Sequence, residues 1–132
     1  MAAGEFAFID WLRKIPAVHP TVILGPGDDT AILHRPEREL LLTTDMLMDG
    51  VDFHLHKVCP RAIGEKAMAV NLSDIAAMAG EPLAALVALA LPTSTTTAAR
   101  TIAEELFLGI RDFANRYGVA IVGGENQAWT PA

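Results

Sequence analysis

Residues 60–80, PRAIGEKAMAVNLSDIAAMAG, decide how the rest of the chain is read. Pro60 suits the first position of a helix and Gly80 a C-terminal stop, so the stretch predicts one helix. Ala67, Met68, Ala69, Val70, Leu72, Ile75, Ala76, Ala77 and Met78 leave it almost no polar face. A helix that is apolar all round is expected to be buried. Asn71, Ser73 and Asp74 nevertheless stand in its middle. A buried carboxylate is strongly unfavourable unless a cation or hydrogen-bond donors meet it. Two readings of Asp74 follow: a capping or salt-bridged structural acid, or one member of a functional site.

Composition narrows the classes. The chain has 132 residues, enough for one domain with a real core. At 52% hydrophobic it is apolar for its size, which points to a face covered by a partner or by more protein. No run reaches the length and purity of a membrane span, and Glu5 and Asp10 interrupt the apolar N-terminus, so it does not read as a signal peptide. The single cysteine, Cys59, excludes an internal disulfide framework and fits a reducing, cytoplasmic setting. Sixteen acids against ten Lys and Arg give a net charge of −6. That balance argues against nucleic acid as a partner, and an anionic substrate would need intervening metal ions.

Outward from the helix, the pattern alternates. Residues 4–15 read as a short amphipathic helix and 22–24 as a strand. Gly25-Pro26-Gly27-Asp28-Asp29 is a turn sequence. Residues 30–33 and 40–44 read as strands around a polar hairpin at 35–39, Asp49-Gly50 as a turn, and 51–55 as a further extended piece. After the central helix, residues 83–91 form a continuous apolar run closed by Pro92, expected as a strand covered on both faces. Residues 98–117 are the clearest amphipathic helix, with Ala99, Ile102, Leu106, Ile110, Phe113 and Tyr117 as its inner stripe. Arg100 with Glu104 and Asp112 with Arg116 are i,i+4 pairs on its outer face, and Gly118 is its cap. Residues 119–122 are a last strand running into Gly123-Gly124-Glu125. The class is α+β, with helices laid on one face of a mixed sheet. Residues 1–125 read as the domain and 126–132 as the start of a connection.

Asp28, Asp29, Asp45, Asp49, Asp52 and Glu125 lie at strand ends or in the turns after them, and Asp74 lies in the helix. Carboxylates that converge cannot all stay ionised unaided. Mg²⁺ bound by a few carboxylates and by phosphate oxygens is the common solution in phosphoryl transfer. Thr43 and Thr44 add oxygens beside Asp45, and the Gly25/Gly27 and Gly123/Gly124 pairs would let backbone N–H groups approach phosphates. No G-x-x-x-x-G-K-[ST] string is present, so this is not a P-loop. Each element alone has a plainer reading. GPGDD is more often a β-turn, His54-x-His56 lacks a third ligand, and Met46, Met48, Met68 and Met78 read as core filler. The conjunction of separate acidic positions favours a site.

GEF at 4–6, LGPGDDTAIL at 24–33, TTDMLMDGVDF at 43–53, KAMAVNLSDIAAMAG at 66–80, LALP at 89–92 and YGVAIVGGE at 117–125 together resemble the thiamine-monophosphate kinase family, within the aminoimidazole-ribonucleotide-synthetase-like superfamily. The resemblance covers nearly the whole chain and places it as that family's N-terminal domain. It implies ATP-dependent phosphorylation of thiamine monophosphate to thiamine diphosphate. It also implies a cytoplasmic homodimer whose N-terminal sheets join into a barrel. By position it makes Asp29, Thr43, Thr44, Asp45, Asp74 and Glu125 ligands of Mg²⁺. Gly124 becomes an ATP contact and Asp52 part of the substrate segment. The transfer implied is direct and in line, without a covalent enzyme intermediate. Two positions depart from the family: Glu125 stands where it has Asp, and Asp52 where it often has His. The family's C-terminal domain lies outside these residues. A sister ATP-using enzyme of the superfamily and a non-catalytic dimerisation domain are the competing readings.

Overall fold

The structure is a computed structural model that describes residues 22–24, 30–92 and 97–129. The N-terminal helix expected at 4–15, the turn carrying Asp28 and Asp29, and the loop at 93–96 lie outside the described residues. The elements run β1 (Val22–Leu24), β2 (Ala31–Arg35), β3 (Arg38–Leu42), α1 (Pro60–Ala77), β4 (Ala84–Pro92), α2 (Thr97–Arg116) and β5 (Ala120–Trp129). The chain divides into two compact units. One comprises Met1–Thr44 with Ser73–Glu81, the other Asp45–Leu72 with Pro82–Ala132.

The first unit is built on an antiparallel meander, β1-β2-β3. Its second hairpin is tight: Arg35 pairs with Arg38, leaving only Pro36 and Glu37 to turn. Proline lacks a donor and fixes φ, so it fits the turn and not the ladder. β3 stops at Leu42, so Thr43 and Thr44, read as strand from their β-branched side chains, lie beyond it. The last turn of α1 belongs to this unit and closes with two hydrogen bonds, Gly80 N–H to the Ile75 carbonyl (2.9 Å) and Ala79 N–H to Ala76 (3.0 Å). This is a Schellman closure. Its left-handed residue is Ala79, with φ of 54°. Gly80, expected to take that role, comes one position later, where an added Cβ would strike the Leu41 side chain.

The second unit is a β-α-β arrangement. β4 and β5 pair in parallel through α2, the kind of crossover a parallel pair requires. The strands thus form two sheets, one antiparallel and one parallel. The core of this unit joins Met68 of α1, Ile110 and Ala114 of α2 and Val119, packed against Ala85, Val87, Leu89 and Ile121. The helices cover one face of the parallel pair. The other face is open: Leu86 is 75% exposed and Val122 64%. β4 was expected to be covered on both faces; its alternating half-buried and exposed residues show one face covered. β5 also runs through Gly123-Gly124-Glu125 to Trp129 instead of ending there, because each of these residues has a partner in β4.

Within this unit the helices meet at two glycines. A Cβ on Gly64 would strike the Leu106 carbonyl, and one on Gly109 would strike the Arg61 carbonyl. Each helix thus offers bare backbone to the other, which permits close approach. Around the crossing, Arg61 pairs with Asp112 and lies 3.8 Å from Glu105, while Arg116 lies 3.6 Å from Glu65. Asp112 and Arg116 were expected to pair with each other. They bridge the helices instead, since the close crossing brings opposite charges from α1 within reach. Further expectations are corrected. Met46 (77% exposed) and Met48 do not fill a core, because their segment is irregular and solvated. Tyr117 is exposed beside Phe113, ring centroids 5.2 Å apart, because the chain leaves helical geometry there. Residues 51–55 are turns rather than an extended strand. α1 itself, expected to be wholly buried, buries only Ile63, Gly64 and Met68.

Candidate functional site

α1 positions most of the polar groups of interest. Its N-terminus follows the expected pattern. Pro60 is the first helical residue, and the Cys59 carbonyl accepts from Ala62 (3.1 Å) and Ile63 (3.3 Å). Cys59 is exposed, and its place here is that of a cap.

Along the helix, three side chains tie down segment 43–59, which contains no regular helix or strand. In the second unit, Lys66 Nζ donates to the Asp52 carbonyl at 2.7 Å, and Asn71 Oδ1 accepts from the Asp45 N–H at 2.8 Å. In the first unit, the Thr43 hydroxyl donates to Asp74 Oδ2 at 2.8 Å. The segment also closes on itself. Asp52 Oδ2 accepts from Met48 N–H (2.8 Å), Asp49 Oδ1 from Leu55 N–H (3.0 Å), and the Phe53 carbonyl from Gly50 N–H (2.8 Å), with Gly50 at φ 81°. Asp49-Gly50 is therefore the turn expected from sequence.

Asp29 lies outside the described residues. Thr43 and Asp74 are in direct contact. Asp74 is half-buried, and among the described residues no Lys, Arg or His forms an ion pair with it. Thr44, Asp45 and Glu125 are exposed. Asp52 uses one carboxylate oxygen and its carbonyl to hold the segment together. Gly124 has a backbone reason of its own. Its φ is +154°, and a Cβ would strike the carbonyl of Val87 on the neighbouring strand. The bulge in this ladder, where Val122 is skipped between the Ala85 and Leu86 pairings, lies just before it. His54 and His56 are exposed with ring centroids 5.5 Å apart, as expected for surface histidines.

Among the described residues no three His, Cys, Asp or Glu side chains converge tightly enough to hold a metal ion. The chemistry of the donor set still fits a hard divalent cation: Thr43, Thr44, Asp45, Asp74 and Glu125 offer only oxygen. Asp74 is half-buried and accepts from a hydroxyl, with no ion pair among the described residues. Thr30 has a buried hydroxyl, 3% exposed, with no hydrogen-bond partner among the described residues. Asn71 and Lys66 carried no expected role. Asn71 was legible as a poor helix former in mid-helix; nothing in the sequence distinguished Lys66 from any exposed lysine.

Residues 27–130 match the family model described as AIR synthase related protein, N-terminal domain. The chain belongs to this family. Its relatives sharpen the placement of this AIR-synthase-related domain. Thiamine-monophosphate kinase of Rhodopirellula baltica is 42% identical over 129 residues, covering 92% of this chain and 40% of that protein. The enzyme of the same name from Mycobacterium tuberculosis is 40% identical over 125 residues, covering 92% and 36%. That from Escherichia coli is 37% identical over 127 residues, covering 95% and 38%. The chain thus spans 36–40% of the length of these relatives. Among solved structures, AaThiL complexed with AMPPCP and TMP superposes with a TM-score of 0.79 at 35% identity, covering 95% of this chain and 38% of that one. Thiamine-monophosphate kinase from Stenotrophomonas maltophilia superposes at 0.63, with 35% identity and coverages of 96% and 39%. The α+β class and the resemblance read from the six motifs are borne out.

Proposed function

We propose that this domain supplies the ATP- and Mg²⁺-binding part of an enzyme that phosphorylates thiamine monophosphate to thiamine diphosphate. The observation that carries the reading is the solved relative with AMPPCP and TMP bound, which aligns with 95% of the chain. AMPPCP is a non-hydrolysable analogue of ATP, so a nucleotide triphosphate and a phosphate ester are the ligands this reading assigns. Asp29, Thr43, Thr44, Asp45, Asp74 and Glu125 would hold Mg²⁺, with Gly124 near the nucleotide and Asp52 in the substrate segment. Bound there, Mg²⁺ would neutralise charge between two anionic phosphates and so permit direct transfer of the γ-phosphoryl group. Thr43 would orient the Asp74 carboxylate, and the hydrogen-bonded segment 45–59 would hold Asp45 and Asp52 at fixed positions. The open apolar face with Leu86 and Val122 supports assembly as a homodimer, and the single exposed cysteine is in keeping with a cytoplasmic setting. No described helix is long and apolar enough to cross a membrane.

The test is Mg²⁺-dependent formation of thiamine diphosphate from ATP and thiamine monophosphate by the protein that carries this chain. Asp74→Asn is expected to lower the rate at least about a hundredfold, as loss of a group that stabilises transition-state charge does. Full activity in Asp74→Asn would refute its role as a ligand, and absence of product with the unaltered protein would refute the activity.

A further inference from the structure

We propose that Asn71 is a positioning residue that sets the direction in which Asp45 presents its carboxylate to a divalent cation. The inference rests on the reading of Asp45 as a metal ligand and adds to it the group that aims the ligand. Asn71 stands in the middle of α1, where asparagine is a poor helix former. Its amide is held at both ends. Nδ2 donates to the Ala67 carbonyl on the preceding turn at 2.9 Å, and this bond directs Oδ1 outward to accept the Asp45 N–H at 2.8 Å. Swapping the two amide atoms would set donor against donor at Asp45 and acceptor against acceptor at Ala67, so only one orientation satisfies both partners.

The consequence falls on Asp45. It lies three residues past the end of β3, where no ladder fixes the backbone. Among the described residues the bond from Asn71 is its one hydrogen bond, and its carboxylate has none. A rigid helix thus fixes the peptide plane from which the Asp45 side chain departs, while both carboxylate oxygens stay open to a ligand. Groups that orient ligands in this way change metal affinity by about 10–100-fold when removed. An exposed N–H freed by the substitution is rehydrated, so the stability of the metal-free fold changes little.

The experiment uses the full chain and Mn²⁺ as a spectroscopically visible stand-in for Mg²⁺. Affinity is measured by titration, and the metal-free melting temperature is measured alongside. Asn71→Leu keeps the approximate shape and removes both bonds. It is expected to weaken Mn²⁺ binding by about 10–100-fold with little change in metal-free melting. Asn71→Ala, which favours the helix, carries the test if the leucine variant does not fold. Unchanged Mn²⁺ affinity in a folded Asn71 variant overturns the proposal, as does a fall in metal-free melting that accounts for the loss of binding. Asp45→Asn separates this from the underlying reading. If Asp45→Asn weakens binding and Asn71→Leu does not, only the role of Asn71 falls. If Asp45→Asn binds as the unaltered chain does, or the unaltered chain does not bind Mn²⁺, the assignment of Asp45 falls and the proposal with it.

Discussion

The two helices are of similar length, 18 and 20 residues, and end in the same closing pattern, yet they were built under different constraints. α2 has a clear apolar stripe, and Ile110 from that stripe reaches the core together with Ala114. α1 has no such stripe: Ala67, Ala69 and Val70 are half-buried, while Ala62, Ala76 and Ala77 are exposed. Its distinguishing groups are polar: Lys66, Asn71 and Asp74, each bonded to the segment that precedes the helix in sequence. The difference teaches that α2 is chosen for what it buries, and α1 for what it holds in place. An apolar helix can serve as a rigid rack for polar side chains whose partners, two backbone groups and one hydroxyl, belong to an irregular loop.

The comparison breaks most completely where the helices touch. Gly109→Ala places a methyl group against the Arg61 carbonyl, so the helices must part and the core around Met68 and Ile110 must open. We expect a loss of about 3 kcal/mol, at the upper end of overpacking costs, read as a lower urea midpoint. Gly64→Ala is expected to do the same from the other side. An unchanged midpoint in both would mean that the crossing is looser than the backbone distances imply.

A smaller effect of opposite sign sharpens the comparison at the helix ends. Both close by the Schellman pattern, α2 through Gly118 at φ 68° and α1 through Ala79 at φ 54°. An added Cβ at Gly118 would meet only open space, so Gly118→Ala tests backbone conformation alone. It should cost about 1 kcal/mol. Ala79→Gly should stabilise by up to about 1 kcal/mol, less whatever the freer unfolded chain gives back. Thermal melts of the two variants moving in the same direction would contradict this account.

The smallest effect is electrostatic. Hydrogen bonding from Arg111, and then from Arg61, holds the Asp112 carboxyl below its usual range. Its folded-state pKa is lowered, so its contribution is present above the unfolded value near 4 and is lost as pH falls through the lowered native value. The melting temperatures of the unaltered chain and Asp112→Asn should therefore differ slightly at neutral pH and converge in acid. The gap should also narrow with salt, since these groups are partly exposed to solvent. A gap that persists in strong acid would assign the effect to something other than this ion pair.

Much of this was legible without coordinates because it rests on local rules. The period of α2, the proline start of α1, the Asp49-Gly50 turn and the glycine cap at 118 each depend on a few neighbouring residues. What was misread depends on distant ones. Asp112 and Arg116 have partners on the other helix, and β5 continues past Glu125 because β4 is there to pair with it. Met46 and Met48 were assigned to a core by residue type, but their backbone lies in a loop.

By itself the sequence determined the order of the described helices and strands apart from the extended piece expected at 51–55, the α+β class, the oxygen-only set of candidate ligands and, through its motifs, the family. These follow from residue type, local spacing and motif content, which survive without any knowledge of contacts. Only the tertiary structure decided which face of the β4–β5 pair is covered, why Gly64, Gly109 and Gly124 must lack side chains, and which loop groups Lys66, Asn71 and Asp74 hold. Those facts depend on backbone from far along the chain arriving within a few ångströms. A run of residues carries no record of that approach until the hydrophobic core has closed around it.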